Sequence, residues 1–263
     1  MILFKSLYKK WWSYLLLVLF FFIPIYATKG YDPRNINIVI LDLLKTSSET
    51  YKVAAPFFHI ATIIIVILLI IFKNKVRQVF NIYICISFFY FAFAQGVFFT
   101  DKYGVAIMGG YVIIFSIIGI YWIWEIIVKQ NDFALFKIPY WKYWVVPFAF
   151  LSFWSPVELE FRPIYLLTSD YGTTFCFTAP VILAILSLYH PRVNIAVLRV
   201  TSFVSLFVGI LNMTYIFLDG IWWLIILHIP LFVISLYCLI LSFQKITPNY
   251  SDKVILQKGD VIN

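Results

Sequence analysis

Charged side chains are scarce in this sequence, since Asp, Glu, Lys and Arg make up only 12% of its 263 residues. That is about half the share of a typical soluble domain. Hydrophobic residues account for 63% of the chain, and its mean hydropathy is +0.95. A soluble domain of this size has too little interior to hide so much apolar surface. The composition therefore excludes an ordinary soluble domain and favours an integral membrane protein.

The sequence also lacks the common signatures of catalysis. It has no GxxxxGK[ST] loop for nucleotide phosphates, no HExxH zinc motif and no GxSxG nucleophile turn. Its three cysteines (Cys85, Cys176 and Cys238) form no CxxC pair and lie in apolar runs, which is typical of buried, unreactive thiols. These absences favour a role other than that of an enzyme.

Long apolar runs are what the sequence has in place of these motifs. The hydrocarbon core of a bilayer requires about 20 apolar residues in a helix, and the runs predict an all-α, polytopic transmembrane bundle of about eight spans. The predicted spans are residues 11–28, 53–72, 79–99, 105–128, 143–157, 173–189, 195–217 and 221–243. Residues 1–244 would form a single transmembrane domain, and residues 245–263 a short polar cytoplasmic tail.

The basic residues are distributed unevenly between the loops. If eight helices alternate, most Lys and Arg residues fall on the side of the two termini, which the positive-inside rule makes cytoplasmic. The acidic residues show the opposite bias. The net charge of +8 then reflects topology and attraction to anionic lipid headgroups, with no nucleic-acid partner. We predict a multi-pass protein of the cell membrane with both termini in the cytoplasm and the lipid bilayer as its main partner.

Four polar side chains share a similar depth in the predicted outer third of the membrane: His59, Gln95, Asn212 and His228. The two histidines lie about six or seven residues from the outer ends of their spans, or roughly 9–11 Å deep. Polar groups are unfavourable at this depth unless they are partnered. The pattern predicts a shared polar pocket that opens outward. The alternative is that each side chain bonds separately to a neighbouring helix.

A second set of candidates lies in the predicted outer segment after the short, proline-containing fifth span: Glu158, Glu160, Arg162 and Asp170. Interrupted helices followed by such segments line the transport sites of many transporters. The alternative is a solvated loop whose charges pair with one another. The apolar run Ile36 to Leu44 is too short to cross, and we expect it in the interface or docked on the outer face. Glu125 and Arg199 lie near the inner interface, where they would snorkel or pair with each other.

Two functions from different classes are compatible with these patterns. The first is a permease-like or solute-binding membrane protein whose outward-facing pocket contains His59, Gln95, Asn212 and His228. The second is a membrane-anchor subunit of a larger complex, with other membrane subunits as partners. In that case a haem or quinone would be bound, and the two histidines would supply axial ligands to a haem iron. Neither pattern identifies a metal or fixes a cofactor.

Overall fold

The computed structural model describes residues 6–134, 138–156, 160, 162–218 and 222–244. The predicted tail, residues 245–263, lies outside the described residues. In chain order the principal helices are α1 (Trp11–Phe21), α2 (Ile36–Tyr51), α3 (Ala55–Phe72), α4 (Arg77–Ala94), α5 (Gly109–Val128), α6 (Val145–Trp154), α7 (Tyr165–Thr168), α8 (Phe175–Tyr189), α9 (Ile195–Leu218) and α10 (Trp222–Phe243). Three short strands complete the fold: β1 (Tyr26–Ala27), β2 (Val97–Thr100) and β3 (Gly104–Ile107).

The outward faces of the long helices are apolar. On α3, the exposed side chains include Ile60, Ile63, Ile67 and Ile70, and such a continuous apolar surface is rare on a soluble monomer. Over the described residues, four helical stretches are long and apolar enough to cross a membrane: Pro33–Ala94, Gly109–Val128, Ile195–Thr214 and Leu224–Phe243. The prediction of a helical protein with several membrane-compatible helices is confirmed.

Three apolar helices are shorter than a typical span. α1 has 11 residues, α6 has 10 and α8 has 15. At 1.5 Å per residue, α6 extends only about 15 Å, which is roughly half the thickness of the hydrocarbon core. The count of eight spans and the cytoplasmic placement of both termini therefore stay predictions.

The predicted spans 79–99 and 105–128 are wrong at the ends that face each other. α4 stops at Ala94, and residues 97–107 form an antiparallel hairpin in which Val97 pairs with Ile107 and Thr100 with Gly104. The aromatic and β-branched residues of β2 suit a strand, and Gly104 adopts a positive φ of 68° at the turn. β1 adds to the other edge of β3. We call this end of the bundle the sheet end.

Helix α2 docks on the sheet end, so that its apolar run packs on the protein. The side of the membrane that this end faces stays a prediction. Val39 and Leu43, four residues apart, are buried in a small second core with Phe98 and Tyr103. One turn further on, the hydroxyl of Ser47 donates to the carbonyl of Ala94 at 2.7 Å. Val39, Leu43 and Ser47 thus fix α2 across the end of α4 and the strands. An adjacent face of α2 then faces the ends of the long helices.

A buried polar network holds the opposite end of the bundle together. Glu125 is fully buried, and its carboxylate accepts from the backbone N–H of Asn131 at 2.7 Å and the side-chain amide of Asn194 at 2.6 Å. Asn81 lies 3.4 Å from the same carboxylate and accepts from the Asn131 amide at 3.0 Å. The expectation that Glu125 snorkels or pairs with Arg199 is wrong, because three amide groups surround it. Its position joins α5 to the turns before α6 and α9.

Arg199 has a different set of contacts. Its guanidinium donates to the hydroxyl and the carbonyl of Ser242 on α10, and it packs over the rings of Tyr8 and Phe243. Arg199, which was expected near Glu125, therefore joins α9 to the end of α10.

His190, in the turn after α8, makes folding sensitive to acid. Its side chain is buried, and Lys142 donates to its carbonyl at 2.5 Å. Burial first, and then the nearby Lys142 charge, lower the pKa of His190 from 6.5 to about 4. The unfolded chain binds a proton below its ordinary pKa while the folded chain does not, so stability is lost as the pH falls from about 6.5 to about 4.

We expect this loss to reach on the order of 3 kcal/mol at pH 4. Between pH 4 and 6.5, His190→Gln should make the unfolding free energy less dependent on pH. The slope should fall by the amount that corresponds to the uptake of up to one proton on unfolding. The measurement is thermal or denaturant unfolding in detergent across that range, with the native chain beside the variant. Equal slopes for the two proteins would contradict the assignment.

Candidate functional site

A cavity of about 200 Å³ lies at the sheet end, beneath α2. Seven of its lining side chains are polar or charged: Asn37, Ser48, Gln95, Asp170, Thr174, Asn212 and His228. Its remaining walls are mostly apolar and aromatic, with Phe115, Phe175 and Phe177 among them. We call it the His228 cavity. It brings Gln95, Asn212 and His228 together, three of the four residues predicted to share a pocket.

Gln95 serves the fold as well as the cavity. It follows the last residue of α4, and its side-chain oxygen accepts from the backbone N–H of Phe175 at 3.0 Å. That N–H is one of the donors at the start of α8 that have no partner within the helix. Gln95 therefore fixes the start of α8 against the end of α4.

Asn212 and His228 present polar atoms from neighbouring helices. The amide of Asn212 donates to the sulfur of Cys176 at 2.8 Å. His228 Nδ1 lies 2.9 Å from the carbonyl oxygen of Leu224. Because a carbonyl can only accept, Nδ1 carries the proton and Nε2 is an acceptor. None of the described residues donates to this Nε2, which is therefore free to bind a ligand.

His59 does not line the cavity. It is fully buried, with Nδ1 2.8 Å from the carbonyl of Ala55, and Nε2 3.1 Å from both the carbonyl of Phe153 and the hydroxyl of Ser169. Both ring nitrogens are thus engaged by α3, α6 and the segment before α8. The two histidines share no cavity, and this geometry does not form the axial pair considered for a haem. His59 instead anchors the segment that carries Asp170.

The segment from Ser169 to Thr174 is tightly folded against α3. The carbonyl of Asp170 accepts from the backbone N–H of Thr174 at 2.9 Å, and the Tyr171 hydroxyl lies 2.9 Å from that of Thr62. Gly172 has a positive φ of 80°, and a β-carbon there would lie 2.1 Å from the β-carbon of Phe58. Only glycine satisfies both constraints. These contacts place the Asp170 side chain at the wall of the cavity.

A second, more polar space of about 430 Å³ adjoins the His228 cavity. Its lining is charged and hydroxylated, and includes Lys45, Ser48, Glu49, Lys52, Ser155, Arg162, Thr168, Ser169 and Asp170. We call it the polar cleft. It shares Ser48 and Asp170 with the His228 cavity, and these two side chains are joined by a hydrogen bond of 2.7 Å from the serine hydroxyl to Oδ1 of the carboxylate. The two spaces thus meet at one bonded pair.

The predicted charged segment divides in the structure. Arg162 and Asp170 line the polar cleft, and Glu160 forms an exposed ion pair with Arg162. Glu158 lies outside the described residues. The Glu160–Arg162 pair is the contact expected of a loop whose charges pair with one another, and a binding role for this segment stays a prediction.

Sequence reasoning missed the contribution of α2 to the site. Ile40, Leu44 and Ser48 lie on one face of α2 and line the His228 cavity. Their spacing of four residues predicts a shared helix face. The apolar run from Ile36 to Leu44 ends before Ser48, however, so the run alone does not indicate that the helix continues to this residue. Ser155 was missed because a lone serine after a helix carries no signature.

Within the described ranges, no group of three or more His, Cys, Asp or Glu side chains is placed to hold a metal ion. The chemistry that these two spaces offer is hydrogen bonding and charge pairing next to an apolar wall. Comparison with protein families, with curated proteins and with solved structures gives no match. The assignment of a function therefore depends on the cavity itself.

Proposed function

We propose that this chain is a permease-like, solute-binding membrane protein whose ligand occupies the His228 cavity from the sheet end. The observation that carries the proposal is the convergence of Gln95, Asp170, Asn212 and His228 on one cavity that adjoins the polar cleft. A mostly apolar cavity with a few convergent polar groups is the usual form of a small-molecule site.

The size of the cavity limits the ligand. Its 200 Å³ is below the range of about 300–1,000 Å³ that drug-sized ligands occupy, and equals about seven water molecules at liquid density. The ligand is thus a small solute with an apolar part for the aromatic walls. It also has a polar group for the point where the cavity meets the polar cleft, at Ser48 and Asp170.

Cys176 offers a direct test, because it is half-buried and lines the cavity while Cys85 and Cys238 are buried. A small, membrane-impermeant methanethiosulfonate added to the outside of intact cells should label Cys176. The label should be lost in Cys176→Ser, the matched control. A panel of small amphipathic alcohols, amines, carboxylates and amino acids should contain at least one class that slows labelling by occupying the cavity.

Two results would contradict the proposal. The first is no labelling from outside while cysteines introduced at exposed sheet-end positions, such as Lys29→Cys, react normally. The second is labelling of Cys176 at one rate regardless of the solute present.

A further inference from the structure

The polar cleft contains charges of both signs, and two of them have no ionic partner. Lys45 lies 4.0 Å from Glu49, and Arg162 pairs with Glu160. Lys52 and Asp170, in contrast, form no salt bridge with any of the described residues. Oδ1 of Asp170 accepts a hydrogen bond from the Ser48 hydroxyl. Oδ2 accepts none from the described residues and is available to a ligand in the cleft.

Ser155 adds a buried hydroxyl that nothing in the described chain satisfies. It follows the last residue of α6, is fully buried and lines the polar cleft. Its Oγ has no hydrogen-bond partner. An unpartnered buried hydroxyl is unfavourable, because it loses its hydrogen bonds to water and gains none in the protein. A polar ligand group in the cleft would satisfy it.

The balance of charge argues against a ligand with a single charge. A simple anion would meet the carboxylates of Glu49 and Asp170, and a simple cation would meet Lys45, Lys52 and Arg162. A molecule that carries both charges meets an opposite charge for each of its own. Through Ser48 and Asp170, the cleft also adjoins the apolar walls of the His228 cavity.

We propose that the ligand is a free α-amino acid with a short aliphatic side chain. Its ammonium group binds Asp170, its carboxylate binds Lys52 and the Ser155 hydroxyl, and its side chain enters the His228 cavity. This inference rests on the proposed function and specifies the class of solute.

The test is isothermal titration calorimetry on the full-length protein in lipid nanodiscs with three probes: leucine, 4-methylpentanoate, which lacks the ammonium group, and 3-methylbutylamine, which lacks the carboxylate. We expect leucine to bind, and each analogue to bind at least tenfold more weakly, since a hydrogen bond to a charged group contributes about 1.5–3 kcal/mol. Asp170→Asn and Lys52→Gln should each weaken leucine binding by a similar factor. Lys75→Gln, at the opposite end, is the matched control and should bind normally.

Ser155→Ala separates binding from folding. Because the hydroxyl has no partner among the residues that the structure describes, its removal should leave the melting temperature unchanged or raise it, while leucine binding weakens about tenfold. A Ser155→Ala protein that binds leucine normally would overturn the role of Ser155 in the proposed site.

The remaining outcomes also decide between the two proposals. If an analogue with one charge binds as tightly as leucine, or if leucine fails to bind, the zwitterionic ligand is wrong. If another class of solute still protects Cys176 from labelling, the proposed function stands and only the amino-acid ligand is wrong. If Cys176 is inaccessible from the sheet end, both fail.

Discussion

Glu125→Leu is expected to lower the free energy of unfolding by about 2–6 kcal/mol, because it leaves two buried amide donors unsatisfied at about 1–3 kcal/mol each. The substitution leaves the amides of Asn131 and Asn194 without the carboxylate to which they donate at 2.7 and 2.6 Å. Each unsatisfied donor is then buried without compensation from water. Denaturant or thermal unfolding in detergent measures the change.

Glu125→Gln gives a graded second measurement in case the leucine variant fails to fold. Glutamine keeps one acceptor but turns its amide toward one of the donors, so the expected loss is about 1–3 kcal/mol. Glu49→Gln is the matched control, because Glu49 is 69% exposed and lies 4.0 Å from Lys45. It should change stability by less than about 1 kcal/mol. If the Glu125 and Glu49 variants behaved alike, the network would not stabilise the fold.

Gly172→Ala is expected to lower the free energy of unfolding by on the order of 4 kcal/mol, and to abolish solute protection of Cys176. The positive φ of 80° is unfavourable for alanine, and its β-carbon would lie 2.1 Å from Phe58 Cβ on α3. Such a collision requires the backbone to move. Asp170 would shift with it, because the two residues belong to one short segment. The measurements are unfolding in detergent and the rate of Cys176 labelling.

Gly30→Ala measures the conformational part of this effect alone, so the difference between the two variants gives the steric part. Gly30 also has a positive φ, of 68°, but nothing lies within 4 Å of the position of an added β-carbon. Its expected loss is only the conformational penalty of about 1–2 kcal/mol. Equal losses at the two glycines would show that the contact with Phe58 is unimportant.

The helical and apolar character of the chain could be predicted from the sequence because lipid exposure imposes it on every long helix. The hairpin at residues 97–107 could not, since Val97, Phe98 and Phe99 are as apolar as the helix before them. Only Gly96 and the turn at Asp101 to Gly104 distinguish a strand pair from a continued span. The short length of α6 could not be predicted either. A lysine that snorkels to the interface can extend a short apolar run, so residues 143–157 were compatible with a full span.

The sequence predicted part of the candidate site. Counting residues along the predicted spans placed Gln95, Asn212 and His228 close together, and these three side chains line one cavity. His59 was predicted beside them, yet the direction of its side chain depends on how α3 is rotated against α6, which no pattern in one sequence specifies. Ser48, Ser155 and the open oxygen of Asp170 depend on contacts between segments far apart in the chain.

Gln95 holds the start of α8 and also lines the cavity, whereas Asn212 and His228, among the described residues, bond only to Cys176 and to the local backbone. A change at Gln95 would loosen a helix terminus whatever its effect on a ligand, so natural selection on folding constrains that position. Positions 212 and 228 carry less of this burden. Under the proposed function, substitutions that change the preferred solute are therefore expected at those two positions, with Gln95 kept.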